Sequence, residues 1–175
     1  MYRISTRPPI ASKEPSAFAR ARIFWPRKTA AAAKALAPGA VPANAWTVYA
    51  DGACSGNPGP AGLGIVLVAP GGVIAEGFEY LGIATNNVAE LTGVLRAAEI
   101  VPDGEPAVVH TDSQYAIGVL SKGWKAKANQ ELVERMRTLA KGFTDLRLVK
   151  VDGHSGVAEN ERADELARAA IIKRG

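Results

Sequence analysis

The chain has 175 residues, 47% of them hydrophobic, which suits a single domain with an ordinary core. Its single cysteine, Cys54, excludes an internal disulfide and fits a reducing compartment. No apolar run approaches the roughly 18 residues of a membrane span, and the N-terminus has no continuous signal-peptide core. We therefore expect a soluble protein in the cytoplasm.

The basic charge is concentrated in the first 45 residues. That segment has eight Lys and Arg residues against one acid, a net charge of +7, whereas residues 46–175 have 13 basic and 16 acidic residues, a net charge of −3. Residues 1–45 are rich in Ala, Pro and Arg, and we expect a flexible basic tail ahead of a folded domain at 46–175. The tail could be a plain linker, an arm that binds nucleic acid or an organelle-targeting segment.

The first predicted elements are three strands. WTVYADGA (46–53), LGIVLVAP (63–70) and GVIAEGFEYLG (72–82) are bounded by glycine-rich connections short enough for an antiparallel meander. The glycine-rich stretch 51–64 matches neither G-x-x-x-x-G-K-S/T nor G-x-G-x-x-G, so it is not a phosphate-binding loop. We expect its glycines to join two strands, which leaves Asp51 as the residue with potential chemistry.

Helices then alternate with two further strands. Residues 86–101 form a helix, PAVVHTD (106–112) a fourth strand, 113–120 and 129–143 two helices, LRLVKVDG (146–153) a fifth strand, and 159–172 the last helix. The predicted buried faces are Leu91, Val94, Leu95 and Ala98, then Leu132, Met136, Leu139 and Phe143, and finally Ala163, Leu166, Ala167 and Ala170. Helical crossovers make the fourth and fifth strands parallel to the first, so we expect a three-layer α/β fold with a mixed sheet.

Four acids are predicted to meet at one edge of this sheet. If the first and fourth strands are neighbours, Asp51 and Asp112 both lie at adjacent strand carboxyl ends. Adjacent strands are about 4.8 Å apart, so the two carboxylates could then reach one cation. Glu90 lies near the start of its helix, and Asp164 adjoins the buried face of the last helix. Clustered carboxylates repel one another unless cations neutralise them, and oxygen ligands favour Mg²⁺ or Mn²⁺.

Four motifs follow one another along the chain: YADGACSGNPG, TNNVAEL, TDSQYAI and DGHSGVAENERADELA. In this order they resemble the type 1 ribonuclease H family, and the resemblance covers about residues 46–172. It implies the ribonuclease H fold, with a five-stranded mixed sheet flanked by helices. It also implies Mg²⁺-dependent hydrolysis of the RNA strand of RNA/DNA hybrids by two divalent ions, leaving 5′-phosphate and 3′-hydroxyl ends.

The resemblance also implies roles for individual residues. Asp51, Glu90, Asp112 and Asp164 would bind the metal ions. His154 would assist proton transfer or product release. Cys54, Asn57, Asn87 and Gln114 match positions that face the minor groove of the hybrid, where 2′-hydroxyl groups distinguish RNA from DNA. Thr85 matches a contact to a DNA phosphate.

Structural alternatives remain open for several of these residues. Cys54 could be a small buried side chain, and Asn57 and Asn87 could hold turns. Trp124 lies among lysines and could contact the DNA strand or simply pack on the domain. His110 matches no family role, and we expect a structural one. Many relatives carry an Arg at position 88, and the segment SKGWKAKANQ is too short for the long basic protrusion of some bacterial members.

The sequence therefore predicts a monomeric ribonuclease H that acts on RNA/DNA hybrids. One alternative is a module that binds hybrids without cleaving them, which the intact set of four acids disfavours. Another is a nuclease of the same fold that acts on a different nucleic acid. Cleavage assays on hybrid, RNA and DNA duplexes would separate the three.

Overall fold

The computed structural model describes residues 41–72, 74–152 and 156–173. The predicted tail up to residue 40 and the predicted catalytic His154 lie outside these ranges. The described part contains five strands and four helices in the predicted order. They are β1 (Trp46–Cys54), β2 (Gly59–Val68), β3 (Ile74–Ala84), α1 (Asn86–Ile100), β4 (Ala107–Thr111), α2 (Gln114–Ser121), α3 (Gln130–Ala140), β5 (Leu146–Lys150) and α4 (Ala158–Lys173).

The strands form one mixed sheet in the order β3-β2-β1-β4-β5. The first three strands pair antiparallel, whereas β1 with β4 and β4 with β5 pair parallel, as the helical crossovers predict. β2 begins four residues before its predicted start, so the loop between β1 and β2 covers only residues 55–58. Most glycines of the 51–64 stretch therefore lie inside paired strands, and the expectation that they form a connection is wrong.

The two faces of the sheet bury different side chains because residues alternate along a strand. Trp46, Val48 and Ala50 of β1 belong to the main core, which α1, α2 and α3 cover. Tyr49 lies on the opposite face, in a smaller cluster with Leu166 of α4. Among the elements that the structure describes, three layers are formed, with α1, α2 and α3 on one face of the sheet and α4 on the other. Within the described ranges, no helix is long and apolar enough to span a bilayer.

The predicted buried faces are confirmed for α1 and α4, where every named residue is buried. In α3, Met136 and Leu139 are buried as predicted, but Val133 is more deeply buried than Leu132, at 1% exposure. Phe143 follows the end of the helix at Ala140 and packs on the main core from the loop. The predicted face of α3 is therefore largely confirmed. Val133 is its most buried member, and Leu132 packs on the core while remaining partly exposed.

Candidate active site

Asp51 lies in β1 and Asp112 directly after β4, the neighbouring parallel strand. Tyr49 of β1 is paired with His110 of β4. Asp51 and Asp112 each follow two residues later in the sequence. Asp112 directly follows β4, as predicted. Asp51 does not end its strand, because β1 continues to Cys54 in pairing with β2. It lies instead just beyond the part of β1 that pairs with β4, where the two strands separate.

Two glycines let helices from both layers reach Asp51. A Cβ atom on Gly52 would lie 2.4 Å from the backbone nitrogen of Glu90, which is closer than any real contact. Gly64 pairs with Asp51 across the antiparallel ladder, and a Cβ atom there would lie 2.0 Å from the carbonyl oxygen of Ala163. Only glycine permits such close backbone approach. α1 and α4, which carry the other two predicted acids, are therefore seated directly on this part of the sheet.

The four carboxylates share one electrostatic environment centred on Asp51. Burial, followed by repulsion from Asp112, raises the pKa of Asp51 from 3.8 to about 7, with smaller contributions from Asp164 and Glu90. The backbone N–H of Gly52 donates to Asp51 Oδ1 at 2.7 Å and partly opposes this rise. A carboxyl group that is difficult to ionise among negative neighbours marks a position where a cation is favoured.

Glu90 is held by two side-chain donors. Asn86 Nδ2 donates to Glu90 Oε1 at 2.6 Å, and the hydroxyl of Ser113 donates to Glu90 Oε2. Burial raises the pKa of Glu90, and repulsion by Asp112 adds to the rise, while the bonds from Ser113 and Asn86 lower it. Neither donor could be predicted from the sequence as a partner of Glu90, because no motif indicates which side-chain rotamers meet between two helices.

Asp164 forms an ion pair along α4. Arg168 Nε donates to Asp164 Oδ1 at 2.9 Å, and a second guanidinium nitrogen contacts Oδ2. Within the described residues, no three His, Cys, Asp or Glu side chains converge into a preformed metal cage. The donor chemistry nevertheless fits a hard divalent cation, because the four acids supply only oxygen atoms and repel one another at Asp51. Such an ion would compete with Arg168 for Asp164.

Comparison with known proteins identifies the family. Residues 43–172 match the sequence model described as RNase H. The chain belongs to the RNase H family. It is 42% identical over 135 residues to the ribonuclease H of Methylorubrum extorquens (strain PA1), a match that covers 69% of this chain and 57% of that relative. The predicted resemblance and the predicted enzyme class, ribonuclease H, are confirmed.

Solved structures agree with this assignment. The crystal structure of RNase H1 from the halophilic archaeon Halobacterium salinarum NRC-1 is similar with a TM-score of 0.65 at 36% identity, covering 74% of this chain and 98% of that one. LC11-RNase H1, isolated from compost and solved in complex with an RNA/DNA hybrid, has a TM-score of 0.64 at 30% identity with the same coverage. The predicted ribonuclease H fold is confirmed.

Three of the predicted substrate contacts of this RNase H have internal partners. The thiol of Cys54 contacts the carbonyl oxygens of Gly56, Gly59 and, at 3.2 Å, Ala84. Asn57 Oδ1 accepts the backbone N–H of Asn86 at 3.1 Å, and Thr85 caps α1 by accepting the N–H of Val88 at 3.3 Å. These bonds tie the loop between β1 and β2 to the start of α1.

The remaining predicted contacts are exposed. Asn87 and Gln114 are exposed in the first turns of α1 and α2, beside the acidic cluster. Trp124 is 50% exposed, and its ring lies so close to Gly118 of α2 that a Cβ atom there would overlap it. His110 stacks on Tyr49 with ring centroids 4.6 Å apart, and burial lowers its pKa, as suits the structural role expected for it.

Proposed function

We propose that this RNase H hydrolyses the RNA strand of RNA/DNA hybrids with two divalent ions, leaving 5′-phosphate and 3′-hydroxyl ends. The catalytic domain would be residues 46–175, preceded by the basic tail 1–45. The observation that supports this most directly is the grouping of Asp112, Asp164 and Glu90 close enough to Asp51 for each of them to disfavour its ionisation. The proposed metal-binding residues are Asp51, Glu90, Asp112 and Asp164.

The acids come from four different elements, which fixes their relative positions. Asp51 lies in β1, Asp112 follows β4, Glu90 belongs to α1 and Asp164 to α4. Mg²⁺ or Mn²⁺ bound there would supply Lewis acidity toward the scissile phosphate. The carboxylates of this chain would orient the attacking water and the phosphodiester. His154 would move a proton or assist release of the product.

Recognition of the hybrid would use the surface beside the acids. Asn87 and Gln114 are exposed at the first turns of two helices, where their amides could contact 2′-hydroxyl groups of the RNA strand. Asn57 and Cys54 would shape the same minor-groove surface through the loop that they stabilise. Thr85 would contact a DNA phosphate, and the exposed ring of Trp124 would stack against the DNA strand.

Cleavage of end-labelled duplexes tests the proposal. Full-length protein with Mg²⁺ should cut the RNA strand of an RNA/DNA duplex and leave RNA/RNA and DNA/DNA duplexes intact. Asp112→Asn should remove cleavage while hybrid binding, measured by fluorescence anisotropy, and the circular dichroism spectrum stay close to those of the wild type. Activity of Asp112→Asn within a few-fold of wild type would contradict the metal-binding assignment.

The same assay distinguishes the other functions. Hybrid binding without cleavage would indicate a binding module, and cleavage of RNA/RNA or DNA/DNA would indicate a nuclease with a different substrate. Sizing by light scattering tests the proposed monomer. Replacing Mg²⁺ by Mn²⁺ in parallel reactions identifies the preferred ion.

A further inference from the structure

Hydrogen bonds involving both its side chain and its backbone hold Ser113 in place. It directly follows Asp112, is 3% exposed and forms the N-cap of α2, where its Oγ accepts the backbone N–H of Ala116 at 3.1 Å. Its own backbone N–H donates to Thr111 Oγ1 at 3.2 Å. The hydroxyl is therefore held by the end of β4 and the start of α2 together, with little freedom to rotate away.

The hydroxyl hydrogen points from this fixed position to Glu90. A serine hydroxyl has one hydrogen to donate, and because its oxygen accepts from Ala116, the hydrogen is free for a second partner. That partner is Glu90 Oε2, while Asn86 Nδ2 donates to Oε1 of the same carboxylate at 2.6 Å. Both oxygens of Glu90 are thus oriented by uncharged donors that are not themselves among the proposed metal-binding residues.

We propose that Ser113 is a positioning residue that sets Glu90 relative to Asp112 for metal binding. It connects the segment that carries Asp112 to the helix that carries Glu90, so one side chain fixes the distance between two acids that repel each other. Without the hydroxyl, repulsion by Asp112 would be opposed only by Asn86, and the carboxylate of Glu90 would take other rotamers. This inference rests on the proposed function, because it concerns the same metal-binding set.

The test measures metal affinity separately from activity. Mg²⁺ is titrated into substrate-free, full-length protein and followed by NMR chemical shifts, and kcat and KM are measured on the RNA/DNA duplex. Ser113→Ala should weaken Mg²⁺ affinity and lower kcat by about 10- to 100-fold, as is typical when an outer hydrogen bond to a metal ligand is lost. KM for the hybrid should change by less than about twofold, because the substitution removes no predicted contact with the bound hybrid.

Matched variants separate positioning from helix capping, since Ser113→Ala also removes the cap of α2. Ser113→Thr keeps both a capping oxygen and a donor and should restore most of the affinity. Val119→Ala removes buried packing from the same helix, destabilising it without touching Glu90, and should bind Mg²⁺ like the wild type. Asn86→Ala, which leaves α2 intact, should weaken Mg²⁺ affinity in the same direction as Ser113→Ala.

The inference is overturned if Ser113→Ala retains wild-type Mg²⁺ affinity, if Ser113→Thr fails to restore it, or if Val119→Ala reproduces the loss. A wild-type protein that binds Mg²⁺ but cleaves no hybrid would overturn the proposed substrate and leave the role of Ser113 to be decided by the titrations. A wild-type protein that shows no response to Mg²⁺ would overturn both proposals.

Discussion

Replacing Asp51 by asparagine should stabilise the metal-free protein at alkaline pH. Burial and the neighbouring acids raise the pKa of Asp51 to about 7 in the folded state. A carboxyl group with a raised pKa holds its proton more tightly when folded than when unfolded. Its contribution to stability is therefore complete below pH 3.8 and is lost as the pH rises through about 7. The asparagine side chain would carry no charge at any pH and would keep an oxygen to accept the N–H of Gly52.

The size of the effect follows from the difference between the folded and unfolded pKa values. Because each pKa unit is worth about 1.36 kcal/mol, the interval from 3.8 to about 7 corresponds to at most ~4 kcal/mol above pH 7. Asp51 is partly exposed, so solvent screening reduces this limit. The stability of Asp51→Asn relative to the wild type should therefore grow by ~1 to 3 kcal/mol between about pH 5 and pH 8.

Urea unfolding in EDTA at these two pH values measures the effect. Adding Mg²⁺ at the higher pH should reduce the difference in unfolding free energy between Asp51→Asn and the wild type. The reason is that a bound cation would offset the repulsion between Asp51 and the other acids, which only the wild-type protein has. Asp152→Asn is the control, since Asp152 is exposed and its pKa is lowered by Lys150. That variant should be no more stable than the wild type at either pH. A difference between Asp51→Asn and wild type that does not change with pH would refute the reasoning.

Three further predictions concern other parts of the chain. His154→Ala should slow turnover by roughly 10² to 10⁴, as for loss of a general acid or base, while the dependence on Mg²⁺ is retained; a loss as complete as that of a metal-binding residue would contradict this role. Arg96→Met should lower the free energy of unfolding by roughly 3 to 5 kcal/mol, because Glu79 would lose both hydrogen bonds from a guanidinium that is 4% exposed, whereas Glu99 would keep Arg135; urea unfolding checks this. Deleting residues 1–40 should raise KM and reduce the salt dependence of hybrid binding over about 50 to 200 mM salt, with kcat nearly unchanged; equal affinities with parallel salt slopes would reject a nucleic-acid-binding tail.

Much of the fold could be predicted because its periodic signals are local. The faces of α1 and α4 follow from helical spacing, and the parallel pairing of β1 with β4 follows from the helical crossover between them. Strand direction alone does not say which strands are neighbours, and the structure shows that β1 and β4 are adjacent, which brings Asp51 close to Asp112. In α3 the sequence does not distinguish Leu132 from Val133, because both are apolar and only contacts with neighbouring helices decide which is more deeply buried.

The rest of the site depends on close packing that no spacing rule reports. Gly52 and Gly64 suggest turns when the sequence is considered alone. In the structure both lie in paired strands, where the absence of a side chain lets the backbones of α1 and α4 approach the sheet closely. The bond from Ser113 to Glu90 joins residues 23 positions apart and requires particular rotamers on two helices. A sequence pattern could identify Ser113 as a helix cap, which it is, but could not reveal its second partner.

The arrangement of the four acids explains why a cation is the most direct way to relieve their repulsion. The acids lie in or directly after four different elements, so their backbones could separate only if helices moved away from the sheet, and the bonds to Glu90 limit rotation of its side chain. The contacts at Gly52 and Gly64 oppose such movement, because each helix backbone lies directly against a strand. Without a metal ion, two features of the protein reduce the repulsion between the acids. Asp51 is protonated below about pH 7, and Asp164 forms an ion pair with Arg168. A divalent ion at the same place would replace both, which predicts that proton release and loss of the Arg168 contact accompany metal binding.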